Sequence, residues 1–473
     1  MQKTLMIFLI LAAFCSGCVN DTNQKVETDW SKPEQFLENG QLLALSTWVD
    51  SAQHAVPMYS ELWMKLDSFR QIANRVQLEF SLDEGAVREQ LNARIDDDYT
   101  QEELEGWEHN GKLEYKVING EKRYFKRAAS NLALLLNKGD GLIDAALDSF
   151  CLVHTNEVIR AIDTANTFLA EPQVFEVQFD VRLQADVVPA GEMVRCWLPF
   201  PKTSHGRQRD VELVSVYEPS YLLADDSCVH GSIYMEKPAI AGKETVFSVA
   251  YNFQSYAEYY DMGKLQVLPY DTSTTLYKQY TAQQAPHIVF SKEMMQLSDS
   301  ICGNEVRPHE VVKRLYYWID ENIPWAGALE YAIMPDIPRY VLNNRKGDCG
   351  MQTLLFMAMV RYKGIPVKWQ SGWMLHPDAI NLHDWCEVYY QGVGWVPLDM
   401  SFSLQKSDDE RIKEFYISGI DAYRLIINDD IGADFHPIKR FMRSEPWDFQ
   451  RGELEWSGGN IYFNQWTYEL TLL

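Results

Sequence analysis

The sequence has few basic residues for its length. It contains 43 lysines and arginines against 67 aspartates and glutamates among 473 residues, a formal net charge of −24 at pH 7. Nucleic acids and anionic membrane surfaces attract proteins through lysine and arginine side chains. The charge balance therefore excludes a nucleic-acid partner and adhesion to an anionic membrane surface, and otherwise indicates only a well-solvated exterior.

Patterns for membrane spans and metal sites are also missing. After residue 18 no apolar run reaches the ~20 residues of a membrane-spanning helix. No calcium-loop pattern of the type D-x-[DN]-x-[DN]-G occurs. Six cysteines follow residue 18 without CxxC spacing, so neither a zinc site nor a disulfide framework is expected. A Cys196–Cys228 disulfide and two buried free thiols both remain open, and we expect no metal and no cofactor.

The first 18 residues are typical of an export signal. Lys3 forms the basic region, residues 5–14 form the apolar core, and Ser16-Gly17-Cys18 forms a small-residue cleavage site. This arrangement resembles a bacterial lipobox, although Cys15 stands where that motif usually has leucine. The resemblance implies a lipid on Cys18 that anchors the chain to a membrane of the cell envelope, and a plain secretory signal is the alternative.

The remaining chain is predicted to be an α+β multidomain protein. A hydrophobic content of 46% and a length of 473 residues fit about two to four globular domains. Apolar residues follow a helical period up to about residue 170 and then alternate, as in Phe175, Val177, Phe179 and Val181. The predicted segments are a signal peptide (1–18), a tether (19–29), a mostly helical domain (30–170), an antiparallel β-sandwich of roughly seven strands (171–262), a connector (263–290), an α+β domain carrying the candidate site (291–404) and a C-terminal extension packed on the core (405–473).

Two local signals can be tested directly. Asn119-Gly120 between two short alternating runs predicts a β-hairpin. Pro308 to Asn322 predicts a helix that begins with proline and buries Val311, Leu315 and Ile319 on one face.

The strongest chemical signal is the run Lys346-Gly347-Asp348-Cys349-Gly350, which precedes an apolar segment. A turn with an aspartate cap would place the Cys349 thiol at a helix N-terminus, where the macrodipole favours the nucleophilic thiolate. The helix is predicted to end at Lys363-Gly364-Ile365-Pro366, because Gly364 suits a C-terminal cap and proline forbids continuation.

His383 and Asp399 lie on two strand-like runs separated by a glycine turn. A three-residue loop, Tyr390-Gln391-Gly392, would pair Tyr389 with Val393 and set His383 opposite Asp399. Strand alternation puts Cys386 on the other face. A two-residue turn would instead send Asp399 to the opposite face.

Cysteine, histidine and aspartate in this order fit a thiol acyl-transfer triad. Cys349 would attack a carboxamide carbon, His383 would carry the proton to the leaving amine, and Asp399 would orient His383. The Cys349 backbone N–H would be the first oxyanion donor. A second donor could come from upstream side chains: Asn343, Asn344 or Trp325.

These motifs resemble the transglutaminase-like superfamily, a papain-type fold. The resemblance covers about residues 308–402 and rests on Gly347-Asp348-Cys349, Gly364-Ile365-Pro366, His383-Asp384-Trp385 and the run Gly394 to Asp399. It implies a helix packed on an antiparallel sheet and a Cys349, His383 and Asp399 triad.

The resemblance leaves the acyl acceptor open. Export favours hydrolysis of peptide, protein or peptidoglycan-derived amides over cross-linking, and a non-catalytic envelope binding module is the alternative. The segment Ser444 to Glu453 also resembles the tails of exported bacterial members. Asp448, Glu453 and Glu455 of this region are expected at a solvated strand edge rather than in a cleft.

Overall fold

The computed structural model describes residues 29–95, 99–136, 141–377 and 379–473. Two compact units can be separated. The first comprises residues 1–140, 284–289 and 325–346, and the second comprises residues 141–283, 290–324 and 347–473. The predicted signal peptide with Cys18 lies outside the described residues. In the described part of the chain, no helix is long and apolar enough to cross a bilayer.

The first unit is mostly helical, as predicted. One described hairpin joins strands Tyr115–Ile118 and Glu121–Tyr124 through Asn119-Gly120. Both turn residues have positive φ, 50° and 89°, as a type I′ turn requires, so the hairpin prediction is confirmed. The helices are Ser31–Glu38, Leu42–Gln53, Glu61–Glu79, Glu84–Ile95, Gln101–His109, Ala128–Leu135 and Ile337–Asn344, with a 3₁₀ turn at Tyr331–Ile333.

The second unit contains a β-sandwich of two five-stranded antiparallel sheets. The first sheet has the order Gly419–Ile420, Thr245–Tyr259, Leu169–Leu183, Trp466–Leu472, with Gln208–Val216 also paired to Thr245–Tyr259. The second has the order Gly459–Ile461, Glu453–Trp456, Met193–Pro199, Ser232–Pro238, Tyr221–Leu223. The alternating residues predicted to face the core are buried: Phe175, Val177, Phe179 and Val181.

The C-terminal region completes both sheets of the sandwich. Residues 169–259 supply six strands, close to the roughly seven expected from the sequence. Trp466–Leu472 pairs with Leu169–Leu183, and Glu453–Trp456 pairs with Met193–Pro199. These additions cover strand edges that would otherwise expose unpaired backbone groups. The C-terminal extension is therefore integral to the sandwich.

A third, four-stranded antiparallel sheet carries the candidate site. Its order is Gly394–Leu398, Ala379–Tyr390, Val367–His376, Arg424–Asn428. Helix Cys349–Tyr362 packs against Ala379–Tyr390 and helix Pro308–Asn322. Helix Pro308–Asn322 has the predicted bounds and buries the predicted face of Val311, Leu315 and Ile319. The other helices of this part are Thr275–Tyr280, Lys292–Cys302 and Glu410–Lys413, with 3₁₀ turns at Phe415–Ile417 and Phe463–Gln465.

One long helix belongs to a different unit from the one that the sequence indicated. Helix Gly141–Ala165 was expected in the helical domain of residues 30–170, yet it lies in the second unit. Its residues Val158 and Ile162 share an apolar cluster with Ala257 and Phe415. Helical periodicity identifies an apolar face but not the surface that it covers.

Gly372 lies where strands Val367–His376 and Arg424–Asn428 approach each other. A Cβ atom at this position would lie 1.9 Å from the Leu425 carbonyl oxygen. We expect Gly372→Ala to lower the free energy of unfolding by about 1–3 kcal/mol, because the two strands must separate. Urea unfolding followed by circular dichroism measures the effect. Gly206→Ala, where a Cβ meets nothing within 4 Å, is the control, and equal losses in both variants would contradict the expectation.

Candidate active site

Cys349 is the first residue of its helix, as predicted. The Asp348 side chain accepts a hydrogen bond from the Met351 N–H at 3.0 Å and so caps the helix. The helix runs from Cys349 to Tyr362, and Gly364 follows with φ +76°, which confirms the predicted end. Nearly every residue after Cys349 is buried, whereas Cys349 itself is half-buried. The helix thus presents its N-terminal thiol while its body fills the core.

The side chains of His383 and Asp399 are buried and hydrogen-bonded to each other. His383 Nε2 lies 2.7 Å from Asp399 Oδ2, and the Ser401 N–H donates to Asp399 Oδ1 at 3.1 Å. Burial alone would raise the pKa of Asp399, but the charge of His383 and its hydrogen bond, together with Arg424, lower it below its ordinary value. An ionised Asp399 accepts the proton of Nε2, which leaves Nδ1 as the ring nitrogen able to take a proton.

The strand register differs from the predicted one by two residues. The structure pairs Tyr389 with Trp395 and Tyr390 with Gly394, so the predicted pairing of Tyr389 with Val393 is wrong. The loop is residues 391–393, with Gly392 at φ 86° as expected and Gly394 at φ 117°. A shift by an even number keeps every side chain on its face, so Asp399 still reaches His383 on the diagonal.

Cys386 is fully buried, and His383 and Trp385 lie on a common face. Their rings stack with centroids 5.9 Å apart, as strand alternation predicts. Burial, together with the negative charges of Asp399 and Glu387, raises the pKa of the Cys386 thiol. This second cysteine is therefore held as an unreactive thiol.

Arg424 is a functional-site neighbour that the sequence reasoning missed. It is fully buried, and its guanidinium donates to Asp399 Oδ2 at 3.0 Å and to Asp421 Oδ1 at 2.9 Å. Asp421 also lies 3.1 Å from His376 Nε2. Burial opposes ionisation of Asp421, but Arg424 and His376 outweigh it and hold its pKa well below the usual range. An arginine opening the apolar run Leu425-Ile426-Ile427 was the available signal.

The Cys349 thiol contacts an acid that the sequence reasoning assigned no role. Its Sγ lies 3.4 Å from Oδ2 of Asp384, the residue that follows His383. Burial raises the pKa of Cys349 well above its ordinary value, and negative charge on Asp384 or Asp348 raises it further. The expected lowering of the thiol pKa by the helix N-terminus is thus outweighed, and the resting form is the thiol.

The C-terminal segment also reaches this site. Gln450 Nε2 donates to Asp384 Oδ1 at 2.8 Å and to the His383 carbonyl at 2.9 Å. Asp448, Glu453 and Glu455 are all buried. The prediction that they lie at a solvated strand edge is therefore wrong. Glu453 and Glu455 accept backbone N–H bonds from Ser444, Glu445, Arg440 and Phe441, which places their carboxylates in the fold rather than in solvent.

The remaining predictions concern residues outside the proposed triad. Asn343 is exposed on helix Ile337–Asn344, and Trp325 is 46% exposed. Both belong to the first unit, whereas Cys349 belongs to the second, so the second oxyanion donor stays a prediction. Cys196 and Cys228 are free thiols, the first buried and the second half-buried. Among the described residues, no group of three His, Cys, Asp or Glu side chains could hold a metal.

Comparison with known proteins identifies a domain family. Residues 295–400 match the model of the transglutaminase-like superfamily, which supports the character of a cysteine enzyme. No curated protein matches the chain. The three solved structures described next have TM-scores below 0.5, so the assignment depends on the family match.

Five chains of solved structures are similar to this chain, and three of them share 14% sequence identity with it. A candidate cysteine protease from Cytophaga hutchinsonii has a TM-score of 0.42, with 65% of this chain and 92% of that chain covered. The periplasmic domain of TgpA from Pseudomonas aeruginosa has a TM-score of 0.26, with 52% and 98% covered. A candidate protease from Parabacteroides distasonis has a TM-score of 0.22, with 54% and 48% covered.

Arg424→Met is expected to destabilise the protein by about 3–5 kcal/mol at neutral pH, because Asp399 and Asp421 lose the cation they share. Both carboxyl groups have lowered pKa values in the folded protein. Their contribution is therefore present above the unfolded pKa of about 4 and is lost as pH falls through the folded values. The difference in the free energy of unfolding between Arg424→Met and the wild type should therefore become smaller in acid. Chemical denaturation across pH measures this, with exposed Arg209→Met as the control, and a difference independent of pH would refute the charge-based account.

Proposed function

We propose that this protein, which carries a transglutaminase-like domain at residues 295–400, is a thiol acyl-transfer enzyme acting on carboxamide bonds of peptides or proteins. One observation carries the proposal: the buried pair of His383 and Asp399, joined at 2.7 Å, lies on the strand whose next residue, Asp384, contacts the Cys349 sulfur. The proposed mechanism adds the transfer of the thiol proton to His383, the residue that precedes Asp384 in the chain.

The chemistry follows from these groups. The Cys349 S–H bond breaks, its proton moves to His383, and the sulfur electron pair attacks the carboxamide carbon. The carbon–nitrogen bond then breaks as His383 gives the proton to the leaving amine, and a thioester remains on Cys349. An acceptor then loses its proton to His383 and attacks the thioester carbon. The carbon–sulfur bond breaks, and the sulfur takes the proton back from His383 as the Cys349 thiol. Asp399 holds the imidazole and stabilises its charged form, and the Cys349 N–H is the first oxyanion donor.

Water is the proposed acceptor, which makes the enzyme a peptidase or amidase rather than a cross-linking enzyme. The support is the export signal at residues 1–18 and the missing calcium-loop pattern in the sequence. The proposed substrates are peptide, protein or peptidoglycan-derived amides in the cell envelope, to which a lipid on Cys18 would anchor the enzyme.

A non-catalytic envelope binding module is the competing reading. Binding alone gives no reason to bury a carboxylate and keep it ionised beside His383. The arrangement of His383 and Asp399 favours catalysis for this reason.

Alkylation by iodoacetamide tests the nucleophile. Because His383 removes the thiol proton in the proposed mechanism, His383→Ala should slow the labelling of Cys349 at neutral pH by about tenfold or more. Half-buried Cys228 provides an internal reference that the variant should leave unchanged. The proposal would be wrong if the labelling rate of Cys349 varied with pH as for an ordinary thiol with a pKa of ~8.5 and were the same in His383→Ala.

Product analysis tests the acceptor. Envelope peptides incubated with the enzyme in water labelled with heavy oxygen should gain one heavy oxygen at each new carboxylate, because water resolves the thioester. Mass spectrometry of the peptides measures the gain, and Cys349→Ala should give none. Linked peptides without heavy oxygen would identify an amine acceptor, and equal products from Cys349→Ala would remove Cys349 from the reaction.

A further inference from the structure

A pair of buried carboxyl groups lies beside the thiol and has no role in the mechanism described above. Asp384 and Asp448 are each 4% exposed, and their carboxyl groups lie within hydrogen-bonding reach of each other. Asp384 Oδ2 also lies 3.4 Å from Cys349 Sγ. The reacting sulfur is therefore in contact with one member of an acid pair.

This geometry requires a proton on the pair. Ionised carboxylates only accept hydrogen bonds, so two carboxyl groups can bond to each other only when one of them is protonated. Asp448 Oδ1 already accepts from Ser371 Oγ and from Asn428 Nδ2, which suits the ionised member. Asp384 Oδ1 accepts from Gln450 Nε2 at 2.8 Å, and we place the acid proton on Oδ2, the oxygen beside the sulfur.

The charges around the pair agree with this assignment. Burial, followed by the negative charges of Asp448 and Asp348, raises the pKa of Asp384 well above its usual range. Burial also raises the pKa of Asp448, although hydrogen bonds from Ser371 and from the Phe449 backbone oppose the change. The titratable groups facing the pair are Cys349 and Asp348 on the helix side and Arg443 beside Asp448.

We propose that Asp384 is a further catalytic residue, which stabilises the Cys349 thiolate by donating a hydrogen bond as a carboxylic acid and suppresses the thiolate when it is itself ionised. The inference rests on the proposed function for the role of Cys349 as the nucleophile. Asp448 and Gln450, which contact Asp384 but not the sulfur, act as positioning residues.

Two protons take part in the proposed step, one on the Cys349 thiol and one on the Asp384 carboxyl group. In the resting site the thiol S–H donates to Asp384 Oδ2. When the S–H bond breaks, its proton moves to His383 and the electron pair stays on sulfur. The acid proton stays on Asp384 Oδ2, and its hydrogen bond turns from Asp448 to the new thiolate. A carboxylate at 3.4 Å would instead place a second negative charge against the sulfur.

Two isosteric variants separate charge from structure. Asp384→Asn keeps an acceptor for Gln450 and fixes a permanent donor beside the sulfur, so the Cys349 thiolate should form more readily. Asp448→Asn removes the negative charge that holds the proton on Asp384, so Asp384 should ionise and disfavour the thiolate. The two substitutions should therefore shift the apparent pKa of the Cys349 thiol in opposite directions. If the two aspartates had a purely structural role, both variants would shift it in the same direction.

The measurement is the pH profile of iodoacetamide alkylation at Cys349 in the full-length protein. Asp384→Asn is expected to lower the apparent thiol pKa by about one unit or more, which is about tenfold faster labelling at a fixed lower pH. Asp448→Asn is expected to raise the apparent pKa and slow labelling. Exposed Asp408→Asn is the matched control and should leave the profile unchanged.

Shifts in the same direction, or no shift in either variant, would overturn the inference. If Asp384→Asn fails to fold, Asp448→Asn decides alone: slower labelling supports the role of Asp384, and unchanged or faster labelling refutes it. Peptide turnover separates this inference from the proposed function. Turnover that depends on His383 without opposite shifts refutes only the role of Asp384, whereas opposite shifts without turnover refute only the acyl-transfer function.

Discussion

The buried charge of Asp399 is the constraint on which the candidate site depends. A carboxylate without solvent is stable only when cations and donors surround it, and here His383 and Arg424 both contact the same oxygen, at 2.7 and 3.0 Å. Arg424 in turn is shared with Asp421, which pairs with His376. The orientation of the imidazole is thus set by a chain of buried charges across the four-stranded sheet.

The pKa values of two buried carboxyl groups of the candidate site are shifted in opposite directions by their surroundings. Asp399 meets cations, and its pKa falls. Asp384 meets Asp448 and Asp348, and its pKa rises. An ionised carboxylate can stabilise a charged imidazole, while a protonated one can donate to sulfur, so one strand and its neighbour provide groups suited to two different tasks at neutral pH.

The β-sandwich and the site are connected through the C-terminal segment. Strand Glu453–Trp456 is fixed in the second sandwich sheet by pairing with Met193–Pro199. Shortly before it, Asp448 binds Ser371 of the site-bearing sheet, and Gln450 holds both Asp384 and the His383 carbonyl. Packing in the sandwich therefore constrains the position of Asp384, even though no sandwich strand supplies a residue of the proposed triad.

Local patterns in the sequence were enough to predict the helix and strands that carry the residues of the proposed triad. An aspartate cap and a Gly-x-Pro end determine helix Cys349–Tyr362, and the two-residue period of strands determines that His383 and Trp385 share a face and Cys386 does not. These features depend on neighbours within a few residues. For the same reason the Asn119-Gly120 hairpin and helix Pro308–Asn322 were predictable.

The contacts between distant residues were decided only by the tertiary structure. Pairing of Tyr390 with Gly394 shifted the predicted register by two residues, because loop closure depends on backbone conformation at Gly392 and Gly394 together. Arg424, Asp448 and Gln450 lie 25 to 66 residues from their partners Asp399 and Asp384. Sequence periodicity states which face is apolar, but the partner of a buried polar group is set by packing and by the cost of leaving its charge unpaired.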